Sequence, residues 1–282
     1  MNAPYKNIAL AVSFSPTSKM LVTEAVRLKD LFSAKLSFVH IGSHTADDEN
    51  KMRELMSSTG LKNGDVEIFW QNGDPVKALE NVCADKNIDL LIVGALEEES
   101  AIKYYLGSVA RSLMREAPCS VLFFKTSSLP HIKFQQICVS LDYSDSSEIA
   151  LRKAHNWALC ENISHITLIR EIQVPGLAMA VNDSGSVDEM TDVRRGWEKD
   201  EINKMDFFVK ELNLTGIEFN SVCLYGKQGW EARNYVDETQ ADLFVINAPK
   251  KKLGFFDRLF PSGLEYIVKQ LPCALLIVKT DR

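Results

Sequence analysis

The sequence has no Cys-x-x-Cys pair, no Gly-x-Ser-x-Gly elbow, no Walker loop and no Gly-rich dinucleotide fingerprint. Zinc-ribbon, serine-hydrolase, P-loop and dehydrogenase templates therefore all lack their key residues. No apolar run reaches the roughly 18 residues that span a bilayer, so no membrane association is expected. Basic residues are not in excess: 32 Lys and Arg stand against 38 Asp and Glu, interspersed, for a net charge of -6. That balance removes the electrostatic footprint of a nucleic-acid binder. The N-terminus, Met1 to Lys6, lacks a charged region followed by an apolar stretch, which predicts a soluble, cytoplasmic protein. The six cysteines, Cys83, Cys119, Cys138, Cys160, Cys223 and Cys273, lie in mostly apolar segments with no histidine at ligand spacing. They read as buried thiols of a reducing compartment rather than zinc ligands. Of the histidines only His40 and His44 are close, one at a strand end and one in a loop, and no metal is implied.

What the sequence does contain is a repeat. Gly73 precedes Asp89 by sixteen residues, and the segment runs on as Leu90-Leu91-Ile92-Val93-Gly94-Ala95. Gly226 precedes Asp242 by the same sixteen, followed by Leu243-Phe244-Val245-Ile246-Asn247-Ala248. Both halves close alike, on Ala117-Pro118-Cys119-Ser120-Val121-Leu122 and Leu271-Pro272-Cys273-Ala274-Leu275-Leu276. Such self-similarity in a chain of 282 residues predicts two domains, 1–127 and 134–282, joined near Ser127 to Lys133. The second is longer through an insertion near 173–190, rich in Gly, Ala, Ser and Asp between Val174 and Met190, which reads as a mobile loop.

In each half, short apolar runs alternate with segments of helical period, the pattern of βαβ units. The first gives strands near Ile8 to Val12, Lys35 to Ile41, Val66 to Trp70, Leu90 to Val93 and Val121 to Phe124. Its helices fall near Leu21 to Phe32, Lys51 to Ser58, Pro75 to Lys86 and Ser108 to Glu116. The second gives strands near Ile137 to Leu141, His165 to Ile169, Glu218 to Leu224, Leu243 to Ile246 and Leu275 to Val278. Helices follow near Ser146 to Ala158, Asp192 to Leu212, Trp230 to Thr239 and Ser262 to Gln270. The predicted fold is α/β, with a five-stranded, mostly parallel sheet and helices on both faces in each half. Ligands of such sheets bind at the carboxyl ends of the strands where strand order reverses, which points to Ser13, Gly94, Asp142 and Asn247.

From Gly94 the spacing runs two residues to Glu97 and nine more to Gly107-Ser108. With the element order, this resembles the universal stress protein family in tandem form, two Rossmann-like, adenine nucleotide alpha hydrolase-like domains. The resemblance implies an Asp at the end of the first strand that holds adenosine. It also implies a loop of Gly, two residues, Gly, nine residues, then Gly-Ser or Gly-Thr for the phosphates. Such glycines let backbone amides reach phosphate oxygens at a helix start. Here Gly94, Gly107 and Ser108 match the loop, Glu97 replaces its middle glycine, and Ser13 stands for the Asp. In the second half Asp142 matches the Asp, while Asn247 and Lys250 replace the two early glycines. The closing pair there becomes Phe260-Pro261, or Pro261-Ser262 with a one-residue insertion.

Simpler readings stand beside these. Ser108 and Ser262 can be helix caps, Ser262 with Glu265 having the form of a capping box. Asp142 can start a turn with Ser144 and Asp145. Lys250-Lys251-Lys252 reads as solvated surface before it reads as an anion site. Phe255, Phe256 and Phe260 are expected to pack over the second crevice. The resemblance implies a non-catalytic stress-response protein with degenerate nucleotide sites, with weak or conditional ATP or AMP binding in the first domain. It also implies that the last strands of the two halves pair across a pseudo-twofold, and a homodimer is open alongside that internal pairing. Two alternatives remain: an ATP-dependent nucleotidyl-transfer or hydrolysis enzyme, and a protein-interaction scaffold without ligand.

Overall fold

The computed structural model describes residues 2–62, 64–98, 103–125, 133–172, 187–248 and 263–280. For 96–98, 103–105 and 187–193 this concerns the backbone. The first half is built of β1 (Asn7–Val12), α1 (Ser18–Phe32), β2 (Lys35–Ile41), α2 (Ala46–Ser57), β3 (Glu67–Gln71), α3 (Pro75–Asp85) and β4 (Leu90–Gly94). A short hairpin follows, β5 (Leu96–Glu98) with β6 (Lys103–Tyr105), then α4 (Ser108–Glu116) and β7 (Ser120–Phe124). The second half comprises β8 (Ile137–Ser140), α5 (Asp145–Glu161), β9 (His165–Ile172), α6 (Val187–Glu211), β10 (Glu218–Tyr225), α7 (Trp230–Glu238), β11 (Leu243–Asn247), α8 (Leu264–Lys269) and β12 (Ala274–Val278).

Three differences from the sequence expectation have local causes. α2 begins at Ala46, ahead of Lys51, because a capping box between Thr45 and Asp48 starts a first turn that is mostly acidic and carries no apolar period. α6 begins at Val187, so 187–190 are helix rather than loop, while 173–186 lie outside the described residues. The β5–β6 hairpin occupies a stretch expected to be plain loop.

The ten long strands form one sheet in the order β10-β9-β8-β11-β12-β7-β4-β1-β2-β3. Every neighbouring pair in it is parallel except β12 and β7, which run antiparallel with Leu276 opposite Leu122. The expected pairing of the last strands is therefore present, and it fuses two five-stranded sheets into one. Alternation along the strands feeds two cores. On one face Leu90, Ile92, Leu122 and Phe124 meet α1, α2, α5 and α6 through Leu21, Met52, Trp157 and Met205. On the other, Leu91, Val121 and Phe123 meet α3, α4, α7 and α8 through Leu79, Leu113, Val236 and Ile267.

The repeat extends to backbone detail. Asp89 accepts the amides of Lys6 (2.7 Å) and Asn7 (2.9 Å) at the start of β1, and Asp242 accepts those of Gln135 (2.7 Å) and Gln136 (2.9 Å) before β8. Each Asp thus fixes the register of its half by satisfying two strand-end donors. Tyr5 and Phe134, which precede the two first strands, both join Phe32 and Trp157 in an aromatic cluster where the halves meet. Beside it Arg27 on α1 bridges Glu24 of its own helix (2.6 Å) and Glu161 of α5 (2.7 Å), carboxylates almost wholly buried.

Candidate functional site

In each half the strand order reverses between the first and fourth strands, β1 and β4 or β8 and β11, and a cavity opens at their carboxyl ends. The first cavity measures about 660 Å³ and is lined by Ser13, Gly94, Gly107 and Ser108. Its body is walled by Leu21, Val39, Leu79 and Val93. No Lys, Arg, Asp or Glu is among the described residues that line it. At Gly94 a Cβ would come within 2.8 Å of Leu21 Cδ1, the flexible end of a side chain that would have to shift. Glu97 lies on β5, beginning two residues past Gly94, and its side chain is outside the described residues.

Ser108 is the first residue of α4, and Gly107 is its cap, with no side-chain hydrogen bond to the helix start. The reading of Ser108 as a capping side chain is thereby corrected. The amides of Ser108, Val109 and Ala110 precede the first bond of the helix ladder, Arg111 to the Gly107 carbonyl, and all three residues line the cavity. α3 differs, since Asp74 accepts the Lys77 amide at 3.0 Å. Ser15 and Thr17, whose hydroxyls lie 3.0 Å apart, also line it, as does His40, a residue that sequence reasoning weighed only as a metal ligand. It is 7% exposed, and its Nδ1 donates to the Val12 carbonyl at 2.9 Å. Phe14 packs on the ring at 4.4 Å and Trp70 meets it edge-on at 5.3 Å. In the neutral imidazole Nε2 is then a bare acceptor, with no hydrogen-bond partner among the described residues.

The second cavity is half the size, about 330 Å³, and four of its polar side chains, Asp142, Arg170, Glu171 and Asn247, are bonded within the protein. Asp142 accepts the amide (3.0 Å) and hydroxyl (2.5 Å) of Ser144 through one oxygen and Asn247 Nδ2 (3.2 Å) through the other. Asn247 also donates to Ser146 Oγ at 3.0 Å, closing the mouth between β8 and β11. Ser144 in turn caps α5 through the Ser147 amide, so the turn-and-cap reading of Asp142 is what the local geometry displays. Glu171, at the end of β9, accepts the amides of Gly229 (2.8 Å) and Ala232 (2.9 Å) at the start of α7. Burial pushes its carboxyl above the usual range, and those amides offset only part of the rise. Gly229 has φ +78 and packs where a Cβ would drive into the Gly263 carbonyl, so this corner demands glycine. Arg170 is held by Glu201 (3.1 Å) and the Leu141 carbonyl (3.1 Å). Lys250 to Lys252, Phe255, Phe256, Phe260 and Ser262 lie outside the described residues. Across the two sites, the Leu106 amide, just before Gly107, donates to the Val268 carbonyl of α8 at 2.9 Å. Gly263, Leu264 and Ile267 of that same segment line the second cavity.

The bonds to Asp142 make a pH dependence. Burial raises its carboxyl, but the Ser144 hydroxyl and amide, Ser147 and Asn247 together outweigh it and hold the group below its ordinary 3.8. The unfolded chain then takes up the proton first as pH falls, so the stabilisation is present above the ordinary value and is lost as pH drops through the folded one. Asp142→Asn should show a shallower loss of melting temperature than the native protein between about pH 4 and pH 2. Equal slopes for the two would mean the bonds contribute nothing.

A tandem α/β protein with paired strand-end cavities, one open and one internally bonded, is the class that fold and site define. Residues 4–125 and 133–279 each match the sequence profile described as the Universal stress protein family, and the chain belongs to that family. A universal stress protein of Staphylococcus aureus (strain USA300) is 29% identical over 147 residues, 45% of this chain and 87% of its own length. A universal stress protein from Archaeoglobus fulgidus has the same fold at 16% identity, covering 99% of both chains with a TM-score of 0.66. So does a functionally unknown protein from Pseudomonas aeruginosa PAO1, at 15% identity over 100% of this chain and 95% of its own, TM-score 0.69. Among the described residues no helix is long and apolar enough to cross a membrane, and all six cysteines are free thiols.

Proposed function

We propose that the chain is a non-catalytic, ligand-responsive stress-response protein whose first cavity, and not its second, takes an adenine nucleotide. The carrying observation is the contrast between them: in the first half the start of α4, without a side-chain cap, lies at an open cavity whose described lining holds no charged residue, while the second cavity is half the size and Asp142 in it is bonded to Asn247. Gly94, Gly107 and Ser108 form the phosphate end, and Ser13 and His40 line the rest. Asp142 and Glu171 support the non-catalytic reading, because carboxylates at strand ends that serve as structural acceptors are not poised as bases. Free thiols fit action inside the cell. A second reading, a protein-interaction surface, is favoured by one observation: Trp197 (41% exposed) and Phe207 (62%) stand out from α6.

Ligand binding to the native state must stabilise it. AMP at about ten times its dissociation constant should raise the melting temperature by about 2–4 °C. Gly94→Val, which displaces Leu21 into the cavity, should abolish that rise, and Asp142→Ala should leave it intact. A shift that survives Gly94→Val and disappears in Asp142→Ala would put the ligand in the second half and overturn the assignment.

A further inference from the structure

The part of the first cavity that α4 supplies is held from the other half of the chain. Gly107, Ser108, Val109 and Ala110 line that cavity, and Leu106 just before them is fully buried with both backbone groups engaged. Its amide donates to the Val268 carbonyl of α8 at 2.9 Å, and its carbonyl accepts Arg111 Nε at 2.7 Å. At the far end of α4 the Arg115 carbonyl, one of the last four that a helix leaves without an internal partner, accepts Lys279 Nζ at 2.8 Å. α4 is therefore gripped at its start by α8 and at its end by the residue after β12, both of the second half. The corresponding lysine after β7 does something else. Lys125 donates to the Pro272 carbonyl at 3.3 Å, in a turn outside the described lining of the first cavity. Arg111 and Glu265 hold the same position in α4 and α8, each seven residues ahead of the proline that precedes the last strand. The hydrogen bond and charge of Lys269, with Arg111 adding to them, hold the Glu265 carboxyl below its usual range. In two identical copies those positions would carry the same sign.

We propose that the second half is the positioning element of the first-half site: Lys279 and the Val268 carbonyl set where α4 stands, and so set the affinity of the first cavity. Lys279 is a positioning residue, outside the lining of the cavity and acting on it through α4. The proposal rests on the reading of the first cavity as the ligand site, and it adds a role for the second half at that site.

Calorimetric titration of AMP into the full-length protein and three variants tests it. Lys279→Met deletes the bond to the Arg115 carbonyl and leaves in place the bond from the Lys279 amide to Ser120 Oγ (3.2 Å). It should weaken AMP about fivefold. Lys279→Arg, which keeps a cationic donor for a helix-end carbonyl, should bind AMP as the native protein does. Lys125→Met removes the corresponding bond at a similar cost in melting temperature, and should leave AMP binding at its native level. Equal weakening by Lys279→Met and Lys125→Met reduces the effect to general loosening and overturns the proposal. Native affinity in Lys279→Met overturns it too, as does a Lys279→Arg variant that binds no better than Lys279→Met. If the native protein binds no AMP, the reading of the cavity falls, and hydrogen exchange decides the positioning role by itself. The Arg111 amide, which opens the α4 ladder on the Gly107 carbonyl, should then exchange about fivefold faster in Lys279→Met and at the native rate in Lys125→Met. An unchanged Arg111 rate in Lys279→Met overturns it.

Discussion

Replacing Arg27 with methionine is expected to lower the unfolding free energy by about 3–5 kcal/mol, measured by denaturant titration. The reason is desolvation. Glu24 is fully buried and Glu161 nearly so, and both carboxylates bond this guanidinium, which also lies 5.1 Å over the Phe134 ring. Removing the cation leaves two negative charges at the seam between α1 and α5 without it. Replacing all three by apolar residues of similar volume should recover most of the deficit, because the intact triad itself gains little over a hydrophobic seam. A single substitution costing under about 1 kcal/mol would place the carboxylates in effective contact with water.

Cutting the chain between its halves is expected to have the other large effect. Residues 1–127 expressed alone would present β7 as a bare edge, with Val121, Leu122 and Phe123 all at 0% exposure in the intact chain. An apolar edge of that kind recruits another strand. The excised half should therefore self-associate, with a mass by light scattering of at least twice the monomer's, and β7 pairing with its own copy in place of β12. In the uncut chain Leu276→Asp, which buries a charge opposite Leu122, should cost about 4 kcal/mol or more. A monomeric, folded first half would show that β7 needs no partner.

Much of this is legible in the sequence. Strands such as β4 and β11 declare themselves as apolar runs bounded by Asp and Gly or Asn, and their repetition located both switch points. Because strand ends converge there, Ser13, Gly94, Gly107 and Ser108 fall around one cavity although they are far apart in the chain. Glu171 was not legible. It is a lone acid ending a strand, and its partners Gly229 and Ala232 lie about sixty positions on, a match made by the fold alone. Arg27 and Glu161 are separated by 134 positions and are ordinary charged residues in helical sequence. Ser108 was placed at the right helix end, but its hydroxyl looked like a cap because Ser commonly is one, and Gly107 takes that position.

The antiparallel pairing of β7 with β12 has a consequence for inheritance. Two separate copies meeting along the same strand would be related by true symmetry, so every substitution would alter both sites at once. Joined in one chain, the halves stay assembled at any dilution, and each accumulates changes alone. Asn247 and Glu171 could tighten one crevice while Gly94 and Gly107 kept the other open.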